Sequence, residues 1–453
     1  MKTYQDLLEC KTEAERMSFI ESAISEHRNS ELYRVAEDAK LYAAQRNVTI
    51  NNTVKQIISL SGRKTADPFA SNYKCSSNFF GRFVTQQVQF LLGNGVSFTK
   101  EDTKEKLGLD FDSKLQKIGK AALIGGCAFG FFNHNRVEVF EITEFAPLYD
   151  EETGALCAGI RFFQIAPNKP IRMTLYELDG YTEYIKKNGK EIEIRADKRA
   201  YIHTVAKSKA DGERVVAWRN YPSFPIIPLW ANEAKQSELV GARSKIDAYD
   251  LIMSGFVNDI DEASYFYWTL ENCGGMTQKD LADFLYKMRT VHAANINNDD
   301  GNGAKATPHT MDVPVTAREA ALERLKNDLY EDYMALDVHR IAAGNVTATQ
   351  INAAYEPLNE KADAWEFCML DFIQGLLSLL GVEDEPSFKR SMMNNQTEYT
   401  DMILASAEYL DDETVINKLP FLTPEEAQIA IERRKMDEMD RFAGEGNGSP
   451  AEV

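Results

Sequence analysis

Apolar residues recur along this chain with two periods, and the switches between them divide it into regions. Residues 1 to about 60 carry the helical period. Leu32, Val35, Ala36, Ala39 and Ala43 recur at three- and four-residue spacing, with Arg34, Glu37, Asp38 and Lys40 between them. A second helix is predicted within 78–98, where Phe80, Phe83, Val84, Val88 and Leu91 form one stripe and Gly93-Asn94-Gly95 stops it. A short strand, VSF, follows. The stretch KLQKIGKAALIGGCAFGFFNHNRVEVFEI reads as a helix, a glycine break at Gly125-Gly126, then strands. From there to about 230 the pattern is β: AGIRFFQI, MTLYELDGYTEYI, EIEIRA and AYIHTVA alternate or are rich in β-branched and aromatic residues.

The helical period then returns in two amphipathic segments. In 242–264 the predicted stripe is Ile246, Tyr249, Ile252, Met253, Phe256 and Ile260, with Asp247, Asp250, Asp259 and Asp261 mostly off it. In 316–337 it is Leu322, Leu325, Leu329 and Tyr333. Between them, 265–315 mixes a strand-like YFYWTL, a short helix around QKDLADFLYKM and a turn-rich NINNDDGNG. After the second helix comes a loop with Gly344, Asn345 and Thr347, then a long helix that contains Pro357. A proline inside a helix removes one ladder hydrogen bond and costs about 3 kcal/mol, so a kink is predicted there. Thr347 with Gln350 fits a capping box that gives this helix a defined start. From 385 to about 436 the chain reads as extended PSFKRSMM, then helices beginning near Thr397, Asp411 and Thr423, the last with Pro424 at its first position. The final residues, AGEGNGSPAEV, read as a disordered end.

Composition adds exclusions. Of 453 residues, 44% are hydrophobic and 27% charged, as expected for a folded, soluble protein with several domains. The formal net charge of −19, from 70 acidic and 51 basic side chains, argues against a protein that grips phosphate backbones. It is compatible with a wall past which DNA slides, because a negative surface repels the duplex. Six scattered cysteines without a CxxC pair read as free thiols in a reducing compartment. No signal peptide is legible, and the most apolar stretch, 367–382, is shorter than the roughly 20 residues of a membrane span. A soluble protein, intracellular when made, is expected.

Chemistry is sparse. The six histidines (His27, His134, His203, His292, His309, His339) make no HExxH or i, i+4 pair, and no GxSxG, Walker or GxGxxG motif occurs in a fitting context. NDDGNG, 298–303, resembles half of a calcium loop, yet His309 stands where the bidentate glutamate is needed, and a tight turn explains it. Acidic pairs such as Asp259/Asp261 and Asp299/Asp300 leave a metal-dependent hydrolase as an alternative, against the simpler reading of solvated faces. The expectation is no enzyme, no cofactor and no metal.

The order of elements, two amphipathic helices around a small mixed insert and then a loop and long helix, resembles the portal proteins of tailed bacteriophages. The resemblance is to the portal family of siphophages that infect Gram-positive bacteria. Four stretches carry it in order: NFFGRFVTQQVQFLLGNGVSF, YPSFPIIPLWANEAKQSELVGARSKIDAYDLIMSGFVNDID, GNVTATQINAAYEPLNEKADAWE and DETVINKLPFLTPEEAQIAIERRKMDE. One departure is Asn345-Val346-Thr347, where the family commonly has Ser-Gly.

The resemblance implies an α+β, mainly helical portal fold in a ring of typically twelve subunits at one capsid vertex, the channel for double-stranded DNA packaging and ejection. It implies a wing over 1–240, a first stem helix over 241–264, a clip over 265–315 and a second stem helix over 316–337. A tunnel loop over 338–348, a kinked wing helix over 349–381, a crown over 385–440 and a disordered tail over 441–453 complete it. Expected tunnel-loop residues are His339, Arg340, Gly344, Asn345, Val346 and Thr347. Expected channel-lining residues are Glu323, Lys326, Glu331 and Asp332, and Pro357 is the expected kink. Implied partners are other copies of the chain, the terminase large subunit, a head-completion or adaptor protein, the major capsid and scaffolding proteins, and double-stranded DNA passing through without sequence specificity, with no membrane. The place of action is the virion, after assembly in the host bacterial cytoplasm. The alternative within the virion is another head–tail assembly protein.

Overall fold

The computed structural model describes residues 2–436 except 59–61, 67–69, 135, 188–189, 209–211, 264–266, 272–276, 291–304, 310–312, 343–347, 392–399, 401–402 and 420–426. The N-terminal helices are α1 (Tyr4–Glu9), α2 (Glu13–Asn29), α3 (Glu31–Ala43) and α4 (Val48–Asn51). Thr3 and Thr12 close capping boxes at the first two, and the Ser30 and Asn47 side chains cap the next two. A small hairpin, β1 (Gln56–Ile58) and β2 (Lys64–Ala66), precedes α5 (Phe79–Leu92), β3 (Val96–Phe98), α6 (Glu101–Leu107) and α7 (Phe111–Gly125). The predicted stripe of α5 is buried in full.

Strands follow as predicted: β4 (Cys127–Phe132), β5 (Val137–Glu141), β6 (Phe145–Tyr149), β7 (Leu156–Phe163), β8 (Ile171–Glu177), β9 (Gly180–Lys186), β10 (Ile192–Arg199), β11 (Ile202–Ser208), β12 (Gly212–Arg219) and β13 (Ile226–Trp230). They form an antiparallel sheet in the order β10-β9-β8-β7-β6, a second in the order β13-β4-β5, and the ribbon β11-β12. The glycine break works through Gly126, whose φ of 85° ends α7 in the left-handed region. A side chain there would also meet the backbone of Ser237 at 2.9 Å.

The second half holds α8 (Leu239–Ala263), the strand pair β14 (Tyr267–Glu271) and β15 (Lys305–His309) around α9 (Gln278–Thr290), and α10 (Val315–Tyr333). It continues with α11 (Val338–Ala342), α12 (Ala348–Leu380), β16 (Pro386–Phe388), which pairs with β3, and α13 (Asp412–Lys418), with further helix at 427–436. Asp411 caps α13, accepting from the Thr414 amide at 3.0 Å, where a helix start was expected. The expected caps at Thr347 and Thr423, the helix start near Thr397 and the NDDGNG turn lie outside the described residues.

The main core gathers α3, α5, α7, the start of α8, the end of α10 and α12 around β4, with Trp365 of α12 fully buried against Gly119. A second core seats α1–α3 on the five-stranded sheet, and an aromatic one joins the two sheets. Fully burying an aromatic or large aliphatic side chain contributes about 1.5–3 kcal/mol, so these clusters hold the elements in place.

Three expectations need correction. The stripe predicted for α8 is rotated: of its members only Ile246 is buried, and the buried line is Ala242, Ile246, Asp250, Ser254 and Asn258, because this face meets polar backbone. The helix expected over 316–337 ends at Tyr333, because Met334 turns left-handed at φ 58° and Ala335 N donates to Tyr330 O at 2.9 Å. The segment expected to be loop from 338 begins instead as the helical turns of α11.

Candidate functional site

Helices α8 and α10 lie side by side and antiparallel. Lys245 pairs with Asp332 at 2.5 Å near one end, and Arg318 pairs with Asp259 near the other. Where α10 enters the core, Tyr330 and Tyr333 sit in an aromatic group. Phe83 stacks on Tyr333 with ring centres 4.7 Å apart and meets Tyr330 edge-on at 5.1 Å, while Phe79 meets Tyr249 of α8 at 5.0 Å.

The turn that follows is pinned on both sides. Gln86 of α5 exchanges two hydrogen bonds with the Leu336 backbone, at 3.0 and 2.9 Å. Asp337 is buried, accepts from the His339 amide at 3.1 Å and so caps α11, and meets the Lys326 amine at 3.4 Å. His339 and Arg340 are exposed, and residues 343–347, with Gly344, Asn345, Val346 and Thr347, lie outside the described residues.

The four expected channel-lining side chains part company. Glu323 and Glu331 project into solvent, Glu331 within 4.0 Å of Arg340. Asp332 is exposed but tied to Lys245, and Lys326 turns inward to Asp337 and the Tyr330 ring, because the tight turn after Tyr333 brings that carboxylate back beneath it. A cavity of about 470 Å³ opens between this turn and α12, lined by Tyr330, Met334, Leu336, Ile341, Ala354 and Pro357. Pro357 sits exposed within the continuous helix α12.

One turn beyond Pro357, Lys361 ties all three helices together. Its amine donates to Glu238 Oε2 at 2.6 Å and to the Tyr333 carbonyl at 3.0 Å, and stands 3.4 Å from the Tyr333 ring centre. Asn232 donates to the other Glu238 oxygen at 2.9 Å. Burial lowers the Lys361 pKa against the pull of Glu238, and burial raises that of Tyr333 well above its usual value. Sequence reasoning missed Lys361, Glu238 and Asp337. Only Asp337 left a local signal, an aspartate directly before a helix start.

Among the described residues no three His, Cys, Asp or Glu side chains converge on a metal-sized site, and no helix is long and apolar enough to cross a membrane. What the arrangement offers is mechanical: two long helices joined at their base to a pinned turn and a long third helix.

The family described as Phage portal protein, SPP1 Gp6-like matches residues 21–442. The portal protein of Clostridium phage phiCD119 is 26% identical over 234 residues, which cover 49% of this chain and 51% of that protein, so the chain spans about half the length of this relative. The portal protein of Bacillus phage SPP1 is 22% identical over 418 residues, covering 84% of this chain and 79% of that protein. A solved structure, the neck of a native GTA particle computed with C12 symmetry, covers 76% of this chain and 90% of its own at 10% identity and a TM-score of 0.39, too low to support anything further. With the family matched across more than four-fifths of its length, the chain belongs to the phage portal proteins of the SPP1 Gp6-like family.

Proposed function

We propose that copies of this chain close into a ring of about twelve at one vertex of a phage capsid, and that double-stranded DNA enters and leaves through its bore. The match over residues 21–442 carries this reading, because it takes in both long helices, the insert between them and the segment after them. In the ring, α8 and α10 are the stem, the insert over 265–315 is the clip, and 338–348 is the tunnel loop. Residues 1–240 with α12 form the wing, and the segment from 385 onward the crown.

Glu323 and Glu331, with Arg324, give the solvent side of α10 a mainly acidic face. Such a face passes a phosphate backbone without holding it, whereas a strongly basic one retains it. The terminase large subunit docks on the clip during packaging, and a head-completion protein replaces it. Capsid and scaffolding proteins surround the wing. The chain itself is a structural conduit without catalysis.

Native mass spectrometry and electron microscopy of the purified chain test this. A closed ring with a central hole is expected. A monomer or small open oligomer, with the two long helices inside a solitary subunit, overturns it.

A further inference from the structure

Helix α8 changes its surroundings halfway along. Its first turns put Leu239, Ala242 and Ile246 into the main apolar core. Beyond them the buried residues are Asp250, Ser254 and Asn258, an odd choice for the inward face of a long helix. Opposite this line runs an extended segment, 71–77, that belongs to no sheet.

Alternate residues of this segment meet the helix at a spacing of three or four. Ser77 N donates to Asp250 Oδ1 at 2.9 Å, Cys75 N to Ser254 Oγ at 3.0 Å and Tyr73 N to Asn258 Oδ1 at 2.7 Å. Asn258 Nδ2 returns a bond to Tyr73 O at 3.3 Å, and Ser71 Oγ donates to Asp261. The two periods fit: four helical residues rise about 6.0 Å and two extended ones about 6.6 Å, so each helical step finds the next free amide of the antiparallel segment.

The chemistry of the contact differs from the rest of the core. The segment meets α8 mainly through its backbone amides, with polar side chains adding to them, and its aromatic side chain, Tyr73, stays 57% exposed. At its C-terminal end it is anchored again, because Gln45 donates to Ser76 O and Ser76 Oγ accepts from Asn47 N. Asp250, which also accepts from Asn47 at 2.8 Å, marks the boundary between the anchored part and the rest. In the middle of the segment Lys74 donates to Asn51 O at 2.5 Å, and outside it Lys55 pairs with Glu262 of α8 at 2.9 Å. Polar contacts of this kind can be exchanged for water, whereas separating apolar surfaces cannot be compensated so.

We propose that residues 71–75 form a releasable strap on the outer half of α8. When it lets go of Ser254, Asn258 and Asp261, that half of α8 can shift together with α10, to which Arg318–Asp259 binds it, while the base stays fixed at Ile246 and Asp250. The use of this shift in a DNA channel rests on the portal reading; the strap itself does not.

Hydrogen exchange measured by mass spectrometry on the full chain tests it. Peptides covering 71–75 are expected to exchange at least about tenfold faster than α5 (79–92) and the α8 base (239–246), as a sub-global opening. Ser254→Ala, which removes one acceptor, and Asn258→Ala, which removes an acceptor and a donor, made singly, each raise strap exchange by at least about fivefold, leaving α5 and the α8 base unchanged. If strap, α5 and α8 base exchange at one common rate, or respond together to either substitution, the segment is part of one cooperative core and the proposal fails.

Discussion

Lys361 is the side chain whose loss the structure penalises most specifically. Replacing it by methionine keeps the alkyl stem but removes the donor to Glu238 and to the Tyr333 carbonyl, and the cation over the Tyr333 ring. The Glu238 carboxyl group then keeps, at 13% exposure and among the described residues, the Asn232 amide on its far oxygen. Removing one partner of a buried ion pair costs about 3–5 kcal/mol, and the slight exposure of both side chains places Lys361→Met at the lower end, about 3 kcal/mol. Removing both charges should cost less, about 1 kcal/mol for Lys361→Met with Glu238→Gln, because no uncompensated charge remains. Urea titration of wild type, both singles and the double closes the cycle, and unchanged slopes would localise the effect to the folded state. A pH series adds a sign. Burial depresses the Lys361 pKa, so the unfolded chain binds more protons between the folded value and about 10.5, and this residue's contribution to stability rises with pH across that window. The difference between wild type and Lys361→Met should therefore shift on the alkaline side. A single mutant within about 0.5 kcal/mol of wild type, or a double mutant as unstable as Lys361→Met, refutes the argument.

Two further outcomes are expected. Asp384 accepts from the Thr103 hydroxyl at 2.5 Å and from the Thr99, Lys100 and Glu385 amides, tying the turn before α6 to the segment after α12, and these bonds hold its carboxyl down to about 2. Its contribution is complete above the ordinary carboxylate value of 3.8 and is lost as pH falls toward 2, so Asp384→Asn should flatten the acid limb of a thermal-stability profile between those values; an unchanged limb counts against this role of the carboxylate. On the proposed portal reading, Glu331→Lys should leave ring assembly intact and lower DNA packaging, because it reverses the charge of an exposed side chain whose only close ionic neighbour among the described residues is Arg340 at 4.0 Å; normal packaging would remove α10 from the channel wall.

Much of the fold was legible because it is local. The stripe of α5, the glycine break at Gly126 and the strands from β7 to β11 follow from periodicity and backbone preference, which neighbours in sequence settle between themselves. The candidate site was legible only in outline. His339, Arg340, Glu323 and Glu331 stand exposed as residue type suggests, whereas Lys326 faces inward, because Asp337 returns to it only through the left-handed turn at Met334.

By itself the sequence determined the order of helices and strands, the acidic surplus, the lack of a catalytic motif and, through four stretches in register, the portal family later matched over 21–442. The tertiary structure alone decided which side of a helix is inward where the partner is polar. Helix α8 is the clearest case: hydrophobicity points its stripe one way, yet the chain turns Asp250, Ser254 and Asn258 inward because a distant extended segment offers them its amides. Apolar patterning predicts burial only where the partner is apolar, and neither the partner of a polar line nor the buried Lys361–Glu238 pair is encoded in local spacing.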